Sequence, residues 1–218
     1  MSTLPTVKGV RDFYPEELRV RSWLFETWRQ VARSFGYEEY DACILESEEL
    51  YLRKAGDEIS SQLYNFEDKG GRRVSLRPEM TPSLARMIIA KSGSLPMPLR
   101  WFSIPQCFRY ERAQKGRKRE HFQWNMDIIG LAGVVAELEL MSAQVAFLRR
   151  VGLRMDDEHA DVAIRMSDRR VLEHYLAEQG ITGDDFVTAC VVIDKHDKIG
   201  RDATIEMLIE KGFSAATA

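Results

Sequence analysis

Cysteine is scarce in this 218-residue chain, with Cys43, Cys107 and Cys190 widely spaced and odd in number. That excludes a disulfide framework and a zinc knuckle, and it fits a reducing compartment. Histidine is nearly as rare, and His159, His174 and His196 have no metal-ligand spacing, so no metal site is expected from them. No apolar run is long enough to span a membrane, and the opening MSTLPTVKGVRDFYPEE has no apolar core of signal-peptide length. A cytoplasmic protein without membrane contact is the default expectation. Internal repeats and low-complexity linkers are missing, as are both common glycine-rich phosphate loops, G-x-x-x-x-G-K-S/T and G-x-G-x-x-G. A nucleotide would need some other device to hold it.

Excess charge is missing as well: 31 basic against 34 acidic residues leave −3, which argues against a generic nucleic-acid coat. At 44% hydrophobic and 30% charged, the composition is that of an ordinary globular protein of one large domain, or one plus a fragment. One stretch departs from this evenness. From Phe108 to Asp127 the chain reads FRYERAQKGRKREHFQWNMD. Between Arg109 and Glu120, six cations (Arg109, Arg112, Lys115, Arg117, Lys118, Arg119) against two anions (Glu111, Glu120) leave +4. Apolar segments rich in β-formers, Leu99 to Ile104 and His121 to Ile129, flank this polar loop, and Gly116 suits a turn. The reading is an antiparallel hairpin with a basic tip. Guanidinium forks match phosphate oxygens in pairs, which favours an anion site; a merely solvated loop is the other reading of such a run.

Elsewhere the pattern alternates helices and strands. Pro15 followed by Glu16 and Glu17 predicts a helix start, Leu24, Trp28, Val31 and Phe35 recur at helical spacing, and Gly36 stops the run. Strands are expected over Tyr37 to Leu45, Arg72 to Arg77 and Asp161 to Met166. Thr81 before Pro82 predicts an N-cap for a helix through about Ala90, and further helices are expected over Gly133 to Val151 and Asp168 to Gln179. The fold class is α+β, a mainly antiparallel sheet flanked by helices.

FRYER, GRKRE and FQWNMDIIG resemble the second motif of class II aminoacyl-tRNA synthetases, and specifically that of the histidyl-tRNA synthetases. Lys8 to Pro15 (KGVRDFYP) resembles the N-terminal opening of those enzymes, Leu76 to Pro82 (LRPEMTP) their amino-acid-binding segment, and Asp194 to Ile199 (DKHDKI) a later segment. The four matches come in order and cover nearly the whole chain. The resemblance implies activation of histidine by ATP and transfer of the acyl group to the acceptor end of tRNA, with Mg2+ expected beside ATP and a homodimer as the assembly. It implies that Arg109 bridges the amino-acid carboxylate and the α-phosphate as the catalytic residue. Glu79, Thr81, Gln123 and Asp127 would bind histidine with Arg109, the first three at the ammonium and Asp127 at the imidazole. Glu111, Arg117, His121 and Phe122 would bind ATP with Arg109. This chain carries His121 where many relatives have phenylalanine, and Cys43 where the first motif usually has proline.

Neither the family's third motif nor its anticodon-binding domain is found in the sequence. Residues 1–200 are therefore expected to be a partial catalytic core, and residues 201–218 the start of an incomplete insertion region. Two other classes compete: a regulatory paralogue that senses histidine for ATP phosphoribosyltransferase, and a non-catalytic tRNA or protein interaction module. Arg109, Glu111 and Arg117 weigh against the first, which has no need of an ATP loop.

Overall fold

The computed structural model describes residues 4–53, 61–112, 114–155 and 159–214. Helix α1 (Pro15–Ser34) begins where proline's fixed φ and missing N–H cost nothing, and the Glu17 carboxylate accepts from the Tyr14 N–H at 3.2 Å. It ends at Gly36, whose φ of +80° turns the chain into β1 (Glu38–Glu39). The anticipated apolar stripe is the buried one: Val31 is enclosed and Trp28 stacks on Trp124 with centroids 5.8 Å apart.

Strands β2 (Leu45–Ser47), β3 (Tyr64–Glu67) and β4 (Arg73–Leu76) form an antiparallel sheet in the order β2-β4-β3, with the short helix α2 (Glu48–Leu52) after β2. Helix α3 (Thr81–Ala90) leads to β5 (Leu99–Ser103). The anticipated hairpin is present as two nested ladders. Strands β6 (Gln106–Phe108) and β7 (Glu120–Phe122) pair at the tip, and β5 pairs with β8 (Asn125–Ile129) at the base. Strand β1 joins the other edge of β5 in parallel. Phe102 is fully buried in a core with Ala32 and Tyr37, against which Ile104, Trp124, Met126, Ile128 and Leu140 pack. Leu140 comes from α4 (Val135–Arg150), the helix expected over Gly133 to Val151.

Three expectations are corrected. The strand expected over Tyr37 to Leu45 is broken into β1 and β2, which belong to different sheets. Between them the Arg77 guanidinium takes the Ala42 carbonyl at 2.9 Å, removing it from any ladder. Thr81 does not cap α3: Met80 already has helical φ and ψ, and its carbonyl accepts from the Leu84 N–H, so Thr81 is the first residue inside. Asp161 to Met166 forms no strand; no sheet among the described residues includes it, and a strand without a partner has no ladder to stabilise it. Instead Asp161 is clamped by the Arg154 side chain and N–H.

The chain divides into two compact units, Met1–Val162 and Ala163–Ala218. The second contains helices α5 (Arg169–Glu178), α6 (Gly183–Ile193), α7 (His196–Ile199) and α8 (Arg201–Glu210). Asp168 caps α5, its carboxylate accepting from the Arg170 N–H at 2.9 Å. Leu176, Ile181 and Ala189 form the core, with Leu172, Phe186, Ile193 and Phe213 around it.

Candidate active site

The β6/β7 hairpin fixes the reactive side chains by tying its stem on both edges. Beyond the ladder, the Arg109 N–H continues the pairing to the Arg119 carbonyl at 3.0 Å, and the Phe108 N–H reaches the Arg77 carbonyl at 2.9 Å. The Arg109 Nε donates to the Pro78 carbonyl at 3.2 Å, so the guanidinium is steered toward the segment carrying Glu79. Arg109 and Glu111 thus lie just past the strand, in a tight turn with the Glu111 N–H on the Arg109 carbonyl at 2.8 Å.

The tip has its own scaffold. Arg117 Nη1 lies 3.1 Å from Glu111 Oε2, and Arg119 donates to the Glu111 carbonyl while its guanidinium stacks 3.9 Å above Tyr110. The N-terminal segment closes over the same loop: the Arg119 N–H donates to the Gly9 carbonyl, and the Arg11 N–H donates to the buried Glu120 carboxylate. This contact gives the KGVRDF opening a physical role as a brace for the basic loop.

At the centre lies the Cys107 thiol, fully buried and pushed up to about 11 by that burial; the charges of Arg77 and Arg109 oppose the shift, and those of Glu79 and Asp41 add to it. Gln123 Oε1 is 3.7 Å from the Cys107 sulfur, and Gln123 Nε2 is 3.2 Å from a His121 ring nitrogen. His121 is half-buried and its pKa lies below the usual histidine value, first because burial disfavours the imidazolium and then because Arg109 repels it. Arg109, Glu111, Arg117, His121 and Gln123 are therefore brought together, with Glu79 in electrostatic reach. One flank offers guanidinium forks to phosphates, and the other offers carboxylate and amide acceptors to an ammonium group.

The other anticipated residues are Thr81, Phe122 and Asp127. Thr81 is exposed at the head of α3, and among the described residues no hydrogen bond joins it to the Arg109 group. Phe122 alternates with His121 along β7 and so faces the other way, edge-on to Phe25 at 5.1 Å with Arg21 over its ring. It lines a cavity of about 510 Å³ with Phe13, Phe25 and Trp28, whose wall also includes His121 and Lys118 of the basic loop. Asp127 lies on β8 opposite Trp101. Asp127 keeps the alternation begun at His121 and Gln123: a single register runs from the Phe108–Glu120 pair to the Leu99–Ile129 pair, and the bond from the Gln123 N–H to the Pro105 carbonyl continues it, so the three side chains share one face. Arg77, Cys107, Tyr40 and Ser103 are site neighbours that sequence reasoning missed. Only the apolar alternation around Cys107 and Ser103 hints at their burial.

An α+β core whose hairpin presents this arginine set beside the half-buried Glu79 and Gln123 has the organisation of a class II aminoacyl-tRNA synthetase. The family model for histidyl-tRNA synthetase matches residues 9–204. The chain is 52% identical over 207 residues to a histidine-tRNA ligase, chloroplastic/mitochondrial, of Arabidopsis thaliana, covering 95% of this chain and 41% of the relative. It is 46% identical over 203 residues to a histidine-tRNA ligase of Opitutus terrae, covering 93% and 46%. The crystal structure of histidyl-tRNA synthetase from Nostoc sp. superposes with a TM-score of 0.83 at 21% identity, covering 100% of this chain and 47% of that one. The chain belongs to the histidyl-tRNA synthetase family. It spans less than half the length of these relatives.

Proposed function

We propose that this chain supplies the histidine- and ATP-binding part of a histidine-tRNA ligase. In the reaction, a carboxylate oxygen of histidine attacks the α-phosphorus of ATP, the bond from that phosphorus to the bridging oxygen breaks, and pyrophosphate leaves with that electron pair. Histidyl-adenylate then passes its acyl group to the terminal ribose of the tRNA acceptor end. Little covalent work falls to the protein, so positioning and charge neutralisation dominate. The convergence of Arg109 with Glu111, Arg117, His121 and Gln123 carries this reading.

Arg109 bridges the attacking carboxylate and the α-phosphate. Glu111 accepts from the adenine amine, Arg117 leaves Glu111 for the outer phosphates, and the neutral His121 ring stacks on adenine. Phe122 forms the wall of the ATP site next to His121. Glu79, Thr81 and Gln123 receive the ammonium group and Asp127 the imidazole. Mg2+ fits best as a companion of the ATP phosphates, because among the described residues no group of three or more His, Cys, Asp or Glu side chains could hold a metal. Residues 1–200 act as part of the catalytic core. The working state is a cytoplasmic homodimer; among the described residues no helix is long and apolar enough to cross a membrane. The regulatory reading is weaker because it leaves Glu111 and Arg117 without a task.

Thermal denaturation with a non-hydrolysable histidyl-adenylate analogue tests the reading. The melting temperature is expected to rise with analogue concentration by mass action, and the alanyl counterpart to have little effect. No shift at saturating analogue, or equal shifts with both, would refute it.

A further inference from the structure

On one face of the β1-β5-β8 sheet the register places Tyr40, Trp101, Ser103 and Asp127 together. Glu38 pairs with Trp101, the Tyr40 N–H bonds to the Phe102 carbonyl, and Trp101 pairs with Asp127. The Tyr40 ring lies against Trp101 with centroids 5.6 Å apart, which fixes its direction across the sheet. Three polar atoms on this face, the Tyr40 hydroxyl, Ser103 Oγ and Asp127 Oδ2, are buried and have no protein hydrogen-bond partner at full hydrogen-bond geometry among the described residues. Ser103 is 1% exposed, and the opposite face of the sheet is the packed Phe102 core. Buried polar groups are seldom left unsatisfied, and three on one surface point to a ligand-dependent network.

The chemistry gives that network a direction. A carboxylate has two oxygens and turns readily about its last torsion, so an aspartate alone is an imprecise acceptor. A hydroxyl donating to one oxygen fixes the other. Burial raises the Asp127 pKa, and the neighbouring Tyr40 hydroxyl opposes that shift by hydrogen bonding to the carboxylate. Burial also lifts the Tyr40 hydroxyl to about 12, so it is a donor throughout the physiological range.

We propose that Tyr40 is a specificity-determining positioning residue for histidine: Ser103 donates to the Tyr40 oxygen, Tyr40 donates to one Asp127 oxygen, and the other receives the imidazole N–H. This rests on the assignment of Asp127 to the imidazole. A ligand ring without an N–H leaves the buried carboxylate unpaired and is rejected on that account.

A double-mutant cycle on histidine affinity, read by titration calorimetry on the 218-residue chain, tests this. Tyr40→Phe is expected to weaken histidine about tenfold, as the loss of one hydrogen bond to a charged group does. In an Asp127→Asn background the same change is expected to have no further effect, since Tyr40 acts only through Asp127. A thienylalanine control, isosteric but without ring N–H, is expected to bind neither form. Equal loss in both backgrounds, or none in either, overturns the role of Tyr40. If Tyr40→Phe does not fold, Ser103→Ala carries the same cycle with a loss of about threefold. Absence of histidine binding by the unsubstituted chain instead overturns the histidine reading itself, and the two failures are distinct.

Discussion

Arg77 Nη1 lies 2.8 Å from Asp41 Oδ1, yet the arginine side chain is 3% exposed and the aspartate 72%. The two ends of this pair therefore differ in worth. Arg77 also donates to the carbonyls of Gln106 and Ala42, so it joins the segment after β1 to the start of the β6 hairpin. Arg77→Met strands those buried acceptors and is expected to cost about 3 kcal/mol in urea denaturation. Asp41→Ala should cost less than about 1 kcal/mol, because its carboxylate is already in water. Equal costs would refute this asymmetry.

Gly9 has a φ of +92°, and a Cβ there would meet the Arg119 side chain at 2.7 Å, close to its base and not at its free end. Gly9→Ala should thus combine left-handed strain of about 1–2 kcal/mol with displacement of Arg119. Gly36→Ala, at a φ of +80° in open space, carries the strain alone. The expected order in chemical denaturation is a larger loss at position 9 than at position 36. Loosened docking of Arg119 should also speed proteolysis within residues 114–118 for the Gly9 variant only.

What was legible in the sequence follows from how local the cause is. The hairpin between Leu99 and Ile129 could be read because alternation and Gly116 are local signals, and its basic tip because charge needs no fold to be counted. The break at Gln123 and Trp124 could not, since it depends on Pro105 standing across the ladder with a carbonyl to accept but no N–H to donate. The second strand of the notional Tyr37 to Leu45 run was misplaced for a similar reason: Arg77, more than thirty residues away, claims the backbone there. Of the site, the residues in the motif are readable by type and order, whereas the packing of Phe122 on Phe25 depends on a helix far away in sequence. Tyr40 carries no local mark, and Ser103 only the alternation of its strand. Their significance is their shared position beside Asp127, which only strand register creates.

Acid should reveal opposite contributions from three carboxylates. Arg73 and Asn65 hold Glu48, and Arg100 holds Glu139 through two contacts at 2.8 and 3.0 Å, so both acids lie below their ordinary value of 4.5. Each binds its proton less tightly folded than unfolded, so its stabilisation is complete above 4.5 and is lost as pH falls through the lowered folded value. Asp127 has the reverse sign: burial raises its pKa, so ionising it costs stability and protonation relieves that cost. Glu139→Gln is expected to lower stability by about 1 kcal/mol at neutral pH, with the gap closing in acid. Asp127→Asn should raise stability by about 1 kcal/mol at neutral pH while weakening histidine, the trade expected of a binding residue. A less stable Asp127→Asn protein, measured by denaturation at pH 7, would contradict the assigned cost of that buried charge.

Arg109 uses Nε on the Pro78 carbonyl, and among the described residues no carboxylate pairs with it. Its terminal nitrogens are therefore the ones left to meet a ligand, held at a fixed angle by the third. Lysine can supply the charge but cannot hold Pro78 while presenting two further N–H groups. Arg109→Lys is accordingly expected to weaken a histidyl-adenylate analogue about tenfold, and Arg109→Gln about a hundredfold. Free histidine and free ATP should each lose less than the analogue, because each engages only one side of a bridge. Calorimetric titration of the three ligands separates the possibilities. If Arg109→Lys matched the parent for the analogue, bare charge would be sufficient and the bridging geometry wrong. If all three ligands weakened by one common factor, Arg109 would be supporting the hairpin stem instead of joining the two reacting groups.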